Sequence, residues 1–182
     1  ILTVARLSAT EGYKGYDRLL ECLPAVHREL GDVVCVIVGK GDDRLRLEEL
    51  ASELGIEEAV VFAGFVSDEE LPGYYGMADV FAMPSTGEGY GIVFLEAMAC
   101  GTPVLAGNQD GSMDALDDGR LGVLVDPKDN VSITAGLMTQ LNKEGPEWWY
   151  QPEELRDAVM AHAGRAVFAH RINQEIGNVL GD

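Results

Sequence analysis

The chain has 182 residues, of which 47% are hydrophobic, and a formal net charge of −18 with only 13 Lys and Arg residues. This length and hydrophobic content are typical of one globular domain with a sizeable core. The negative charge argues against a nucleic-acid partner, because phosphate backbones are held by clustered Lys and Arg. The longest apolar runs are far shorter than the roughly 20 residues that cross a bilayer. We therefore expect a cytoplasmic protein, and nothing in the sequence indicates membrane association.

Short β-branched runs and stretches with helical periodicity alternate along the chain. The stretches YDRLLECLPAVHREL and DRLRLEELASELG have apolar residues at three- and four-residue steps, as amphipathic helices do. Because each parallel strand needs a crossover connection, the alternation predicts an α/β fold, a Rossmann-like doubly wound parallel sheet with helices on both faces. About six strands are predicted, at 1–5, 33–38, 59–63, 79–83, 103–106 and 121–125.

The strands stop after Pro127, and the rest of the chain has helical periodicity. Helices are predicted at about 130–142 and 152–180, with WWYQP as the break between them. The aromatic residues of this break could stack a nucleobase or anchor the last helix. We predict a Rossmann-like domain over residues 1–130 and a helical C-terminal extension of the same domain over 131–182. The start of the chain, ILTVARLSAT, has no initiator Met, which suggests a preceding domain.

The segments that follow the predicted strands carry most of the candidate binding groups. A doubly wound sheet binds its ligand at the carboxyl ends of its strands, where the strand order reverses. Glycines, one Arg, one Lys and several carboxylates would meet at this edge, a set that suits a molecule with both phosphates and hydroxyls. They come from Arg6 and Lys14 after the first strand, and from GKGDDR, GFVSDEE, PSTGEGYG and GNQDGSMD after the next four.

The segment PSTGEGYGIVFLE, at 84–96, predicts a phosphate site. Gly89 and Gly91, on either side of Tyr90, let the chain turn sharply and approach a ligand closely. A helix that begins near Gly91 would direct the amides of Gly91, Ile92 and Val93 at an anion. Gly89, Tyr90 and these amides are therefore candidate binding groups for the phosphate-bearing ligand.

Glu88 and Glu96 lie on either side of this phosphate site, and carboxylates accept paired hydrogen bonds from the vicinal hydroxyls of sugars. The stretch EGYGIVFLE resembles the E-x7-E motif of retaining glycosyltransferases of family four, and EAMACGTPVLAG resembles the segment that follows that motif. Further blocks resemble the same family in the same order over residues 1–130, namely VARLSATEGYKGYDRLL, VIVGKGDD, VFAGFVSDEELPGYYGMADVFAMPS and DGRLGVLVDP. The resemblance is to the C-terminal, donor-binding half of a two-domain enzyme of the GT-B fold.

This resemblance implies transfer of a glycosyl group from a nucleotide-diphosphate sugar to an acceptor hydroxyl, with retention of configuration. Arg6 and Lys14 would neutralise the donor diphosphate, and Gly91–Val93 would hold the distal phosphate. Glu88 would contact the transferred sugar, and Glu96 would bind the ribose hydroxyls. Arg6, Lys14 and Glu88 are thus the candidate catalytic residues.

The resemblance also implies a nucleobase site. Phe65 and Val66 would border the base, and Gly39 and Gly41 would allow close backbone approach. The GKGDD stretch has only two glycines of a G-x-G-x-x-G motif, so by itself it is weak support for a dinucleotide-binding fold.

Simpler roles compete with several of these assignments. Arg6 could form a strand-end salt bridge, and Lys14 could be a cation on a helix surface. Phe65 could be a core residue. Glu88 and Glu96 could belong to a solvated helix face.

We expect no metal and no cofactor other than the nucleotide-diphosphate sugar that serves as donor. The chain has no Asp-x-Asp, the acidic pair that holds a divalent metal in the other major glycosyltransferase fold. Acceptor contacts are expected from an N-terminal domain that is absent from this chain. Two alternatives remain open, a non-catalytic nucleotide-sugar-binding domain and a GT-B-like sugar-nucleotide epimerase or phosphorylase.

Overall fold

The computed structural model describes residues 1–165, 167 and 169. They contain one parallel sheet of six strands in the order β3-β2-β1-β4-β5-β6. The strands are β1 (Leu2–Val4), β2 (Cys35–Val38), β3 (Val60–Gly64), β4 (Phe81–Met83), β5 (Val104–Gly107) and β6 (Val123–Val125). Each predicted strand overlaps an observed one, so the predicted doubly wound sheet is confirmed.

Helices connect the strands and continue after β6. They are α1 (Tyr16–Leu30), α2 (Arg44–Glu53), α3 (Leu71–Met77), α4 (Ile92–Ala99), α5 (Ser112–Ala115), α6 (Asn130–Leu141) and α7 (Pro152–Ala163). The helix predicted at 130–142 is α6, and the last predicted helix begins as expected, although most of its length after Ala163 lies outside the described residues. No helix within the described ranges is long and apolar enough to cross a membrane.

The sheet separates two hydrophobic cores. Along β5, Leu105 belongs to one core, while its neighbours Val104 and Ala106 belong to the other, because successive strand residues point to opposite faces. Helices α1, α2 and α6 pack on the first face, and α3, α4, α5 and α7 pack on the second. The strands are thus covered on both sides, which explains their nearly continuous apolar sequences. The predicted division of the chain at residue 130 remains a prediction.

The aromatic residues before α7 lie in a short 3₁₀ turn, Glu147–Tyr150. Trp149 is 7% exposed, and its Nε1 donates a hydrogen bond to the Arg120 carbonyl at 2.9 Å. The Tyr150 hydroxyl donates to Oε1 of Gln140 at 3.0 Å. These bonds tie the start of α7 to the sheet domain, which favours the helix-anchoring interpretation over base stacking.

The strand order reverses between β1 and β4, with β2 and β3 on one side and β5 and β6 on the other. The segments that follow β1 and β4 lead to helices on opposite faces of the sheet. Doubly wound sheets form a ligand crevice at such a point. One backbone hydrogen bond, from the Thr86 amide to the Tyr13 carbonyl at 2.8 Å, joins the two segments. The residues after β1 therefore lie beside the residues after β4.

Asp110 ties the loop after β5 to the loop after β4. Its Oδ2 accepts hydrogen bonds from the Ser85 hydroxyl at 2.6 Å and from the Glu88 amide at 2.7 Å, and its Oδ1 accepts one from the Ser112 amide at 2.9 Å. Burial raises the pKa of Asp110, but these hydrogen bonds outweigh burial and lower its pKa below the ordinary value. The ionised carboxylate thus fixes the backbone of the loop that carries Glu88.

Replacing Asp110 with Asn should destabilise the domain by about 1–3 kcal/mol at pH 7, because an amide nitrogen cannot accept the bonds that a carboxylate oxygen accepts. Since the folded pKa lies below the unfolded one, this stabilisation is present above about pH 4 and is lost as the pH falls through the folded pKa. Urea unfolding curves of the two proteins should differ at neutral pH and converge in acid. Asp68→Asn, at an exposed loop position, is the matched control and should change neither curve. Equal stability of Asp110→Asn and wild type at pH 7 would contradict the bracing role.

Candidate functional site

A cleft of about 430 Å³ lies at the carboxyl ends of β1, β2 and β3. The first turn of α4 forms part of its wall, and so does the first residue of α3. Six residues predicted from the sequence line the cleft: Arg6, Lys14, Gly39, Phe65, Val66 and Val93. The cleft thus brings together groups that come from four separate segments of the chain.

Two predicted cations, Arg6 and Lys14, lie side by side in the cleft wall. An Arg6 Nη2 hydrogen donates to Oε1 of Glu11, and Lys14 Nζ lies 3.6 Å from Oε2 of the same carboxylate. Lys14 Nζ is also 3.7 Å from Oε1 of Glu88. The structure therefore contains a chain of ion pairs that runs from Arg6 to Glu88.

Of the simpler roles considered for the two cations, the structure shows the salt bridge of Arg6 but not a surface position for Lys14. Arg6 does form a salt bridge after its strand, but its side chain is 73% exposed, so much of the guanidinium still faces solvent at the cleft. The Lys14 side chain is only 16% exposed and lies between two carboxylates, so it is not a surface helix cation.

Glu11 was not predicted as a site residue. Its side chain is 11% exposed, although it lies in a polar 3₁₀ segment, Ala9–Lys14. The hydrogen bond from Arg6 is the main cause that lowers the pKa of Glu11, so the side chain is ionised at neutral pH. The available signal in the sequence was its position three residues before Lys14, which places the two side chains on one side of a helical turn.

The helix predicted to start near Gly91 is α4. Gly91 is its N-terminal cap, with a left-handed φ of +84°, and α4 begins at Ile92. The first amides of an α-helix have no partner within the helix, and they lie at its positive end. Val93 lines the cleft, whereas Ile92 is 65% exposed and lies outside the cleft lining.

Gly89 and Tyr90 do not contribute to the cleft wall. Gly89 has no left-handed φ, and a Cβ added there would meet nothing within 4 Å, so the turn itself does not require glycine. Tyr90 lines a separate depression with Asp114 and His162. Tyr90 therefore lies outside the cleft that Phe65, Val66 and Val93 line.

Glu96 lies one helical turn after Val93 and on the same side of α4. Its Oε2 accepts a hydrogen bond from the Tyr75 hydroxyl at 2.9 Å. Burial raises the pKa of Tyr75, so its hydroxyl remains a donor at neutral pH. A carboxylate has several acceptor positions, so Glu96 can contact Tyr75 and a ligand hydroxyl together.

Gly39 and Gly41 pack against the segment after β1. A Cβ on Gly39, whose φ is +139°, would lie 1.8 Å from the Ala5 carbonyl oxygen, and a Cβ on Gly41 would lie 1.8 Å from that of Leu7. Both glycines therefore allow a close approach, but the group that approaches each of them is the backbone of the segment after β1. Gly39 lines the cleft, and Gly41 lies outside its lining.

Phe65 is 70% exposed, which excludes the core interpretation. Its ring faces the side chain of Lys40, whose Nζ lies 4.9 Å from the ring centroid. Lys40 also lines the cleft, and it was not predicted. Its position between two glycines directly after a strand was the signal that could have found it.

The sequence matches the family model of Glycosyl transferases group 1 over residues 1–159. A GDP-mannose-dependent alpha-(1-6)-phosphatidylinositol monomannoside mannosyltransferase from Mycolicibacterium smegmatis is 43% identical over 141 residues, which cover 74% of this chain and 37% of that protein. A D-inositol 3-phosphate glycosyltransferase from Corynebacterium jeikeium is 46% identical over 104 residues, covering 56% of this chain and 25% of that protein. The chain thus spans less than half of the length of these relatives.

Solved structures have the same fold. Sucrose-phosphate synthase from Thermosynechococcus elongatus superposes with a TM-score of 0.78 at 26% identity, over 99% of this chain and 45% of the other. HepE from Anabaena, solved in complex with UDP, superposes with a TM-score of 0.77 at 24% identity, over 99% of this chain and 48% of the other. These structures show the fold, and the family match over residues 1–159 with the 43% identical mannosyltransferase shows that the chain belongs to the Glycosyl transferases group 1 family.

Proposed function

We propose that this chain is the donor-binding half of a retaining glycosyltransferase, which moves a hexosyl group from a nucleotide-diphosphate sugar to an acceptor hydroxyl. The observation that carries the proposal is the cleft where Arg6, Lys14 and the first turn of α4 meet beside Glu88. The 43% identical relative is named as GDP-mannose-dependent, which supports a nucleotide-diphosphate sugar as donor.

In the proposed reaction, the bond from the anomeric carbon to the diphosphate oxygen breaks, and its electron pair leaves with the diphosphate. The acceptor oxygen bonds to the anomeric carbon, and its proton passes to the leaving diphosphate. The sugar becomes cation-like, while negative charge increases on the leaving group. Arg6, Lys14 and the first amides of α4 would stabilise that charge more strongly in the transition state than in the bound donor. Their positions in one cleft wall suit this role, and we propose that they act without a metal ion.

The carboxylates near the cations have a different role in this proposal. Carboxylates repel phosphate but accept hydrogen bonds from hydroxyls. Glu88, next to Lys14, would bind hydroxyls of the transferred sugar, and Glu96 would bind the ribose. Phe65 and Val66, which also line the cleft, would then border the nucleobase.

The acceptor site belongs to the whole enzyme. This chain covers 37% of the mannosyltransferase from Mycolicibacterium smegmatis, so that protein has a large additional part. We propose that an N-terminal acceptor-binding domain closes over the cleft and holds the acceptor hydroxyl near the anomeric carbon. The cytoplasmic location expected from the sequence stays a prediction.

The first test of this function is the binding of UDP, GDP and ADP, measured by calorimetry with and without EDTA. At least one of the three nucleotides should bind with the same dissociation constant in both buffers, because Arg6, Lys14 and the first amides of α4 would do the work of a metal ion. Arg6→Gln should weaken that binding by about tenfold or more, as expected for a lost charge-assisted hydrogen bond. Arg44→Gln removes an exposed arginine of a surface ion pair and is the matched control. Binding that disappears in EDTA and returns with Mg²⁺ would contradict the proposal.

Glu96→Ala should weaken ribonucleotide binding by about 1.5–3 kcal/mol, because hydrogen bonds to a charged group are lost. The loss should be smaller for the 2′-deoxy nucleotide, which already lacks one of the two hydroxyls. The preference for the ribonucleotide over its 2′-deoxy form should therefore narrow, as measured by calorimetry with both ligands. Glu48→Ala, at a carboxylate on α2 that pairs with Arg44, serves as the control. An unchanged preference in Glu96→Ala would rule out the ribose assignment.

Sugar transfer should require more than this chain. Positioning of the two reactants can contribute several kcal/mol to a rate enhancement, and the cleft described here holds only the donor. We expect residues 1–182 to bind a nucleotide-sugar without transferring it, and a longer chain with the preceding domain to transfer it with retention of configuration. Product formation and the anomeric configuration can be followed together by NMR. Full transfer by residues 1–182 alone, or an inverted product, would overturn the assignment.

A further inference from the structure

Glu11 contacts two of the three cations that line the cleft, Arg6 and Lys14, but does not line the cleft itself. Its Oε1 accepts a hydrogen bond from Arg6, and its Oε2 lies 3.6 Å from Lys14 Nζ. Arg6 and Lys14 both line the cleft, and Glu11 is absent from the lining. The carboxylate therefore contacts the two cations without itself lining the cleft.

The backbone of Glu11 is itself fixed. Its amide donates to the Ser8 carbonyl at 2.8 Å, and the Tyr16 hydroxyl donates to the same carbonyl at 2.8 Å. The residue as a whole is 8% exposed. A buried carboxylate on an anchored backbone provides a fixed point to which two flexible side chains can be attached.

We propose that Glu11 is a positioning residue, which holds Arg6 and Lys14 in the arrangement that a diphosphate requires. The inference rests on the proposed function, since it takes the anion in the cleft to be the diphosphate of the donor. Arg and Lys have long side chains that lose much rotamer freedom when they are ordered. Because Glu11 orders both of them before the ligand binds, less freedom is lost at the moment of binding.

The position of Lys14 between two carboxylates makes this role specific. Its Nζ lies 3.6 Å from Glu11 and 3.7 Å from Glu88, so the two carboxylates attract it in different directions. Without the Glu11 contact, the ammonium would pair with Glu88 alone. That pairing would move the cation away from Arg6, and it would also occupy the carboxylate that we assign to the transferred sugar.

Arg6 depends on Glu11 in a different way. Its side chain is 73% exposed, and the described hydrogen bond that orients it is the one to Glu11. A guanidinium has five N–H donors in a planar fork, so a bond to Glu11 on one side leaves donors for a phosphate on the other. Glu11 thus orients the fork without using all of it.

The test must keep the charge of residue 11 constant, because removing a carboxylate would also strengthen anion binding through simple Coulomb attraction. Glu11→Asp keeps the charge and withdraws the carboxylate by one methylene group. We expect it to weaken binding of the nucleoside diphosphate that the wild type prefers, among UDP, GDP and ADP, by about fivefold to tenfold. Binding of the matching monophosphate should weaken less, so the preference for diphosphate over monophosphate should fall. Both ligands can be measured by calorimetry on the 182-residue chain.

The matched control is Glu48→Asp, which shortens a carboxylate that pairs with Arg44 on the surface of α2. It should change neither dissociation constant. Thermal unfolding of Glu11→Asp is measured in parallel and should shift by no more than a few degrees. A wild-type chain that binds no nucleoside diphosphate would refute the proposed function itself.

If the wild-type chain binds a nucleoside diphosphate, three outcomes would overturn the positioning role of Glu11 and leave the proposed function intact. An unchanged diphosphate preference in Glu11→Asp would show that the carboxylate does not organise the cations. Tighter diphosphate binding would show that Glu11 competes with the ligand for them. An equal loss for both nucleotides, together with a large drop in the unfolding temperature, would show a merely structural role.

Discussion

The reversal of strand order between β1 and β4 is the constraint on which the site depends. The connection after β1 crosses one face of the sheet and the connection after β4 crosses the other, so a crevice opens between them. Arg6 and Lys14 follow β1, and Glu88 follows β4. The Thr86 to Tyr13 hydrogen bond joins these two segments, and the Asp110 contacts fix the backbone of the loop that carries Glu88. Residues that are far apart in the sequence thereby become neighbours, as shown by the 3.7 Å between Lys14 and Glu88.

A protein with a net charge of −18 can bind a polyanion only where local charge differs from the average. The cleft meets this requirement with a few cations and the positive end of α4, in contrast to the broad basic surface that nucleic acids require. Glu11 and Glu88 then limit the local excess of positive charge, and they hold Lys14 in place. The proposed anion site therefore depends more on how its cations are placed than on a large net positive charge.

The sequence identified the residues with a distinctive local pattern. The start of α4 at Gly91 and the two glutamates around it could be read from the glycines and from the E-x7-E spacing, because a left-handed cap and a helix face are local properties. Glu11 and Lys40 had only weak local signals, a position three residues before Lys14 and a position between two glycines. Asp110 could not be singled out from the sequence, because its role depends on a partner from another segment, the Glu88 amide.

The sequence by itself determined the alternation of strands and helices, the parallel sheet, the family and the segments from which the site is built. The alternation, the sheet and the segments follow from periodicity, turn residues and short-range spacing, which are local properties of the chain. The family follows from the resemblance of its motifs and from the family match over residues 1–159. Only the tertiary structure decided that Phe65 is exposed, that Tyr90 lies outside the cleft and that Gly39 and Gly41 accommodate neighbouring backbone. The physical reason is that exposure, cleft membership and ion pairing depend on how distant segments pack, and local sequence does not specify these distances.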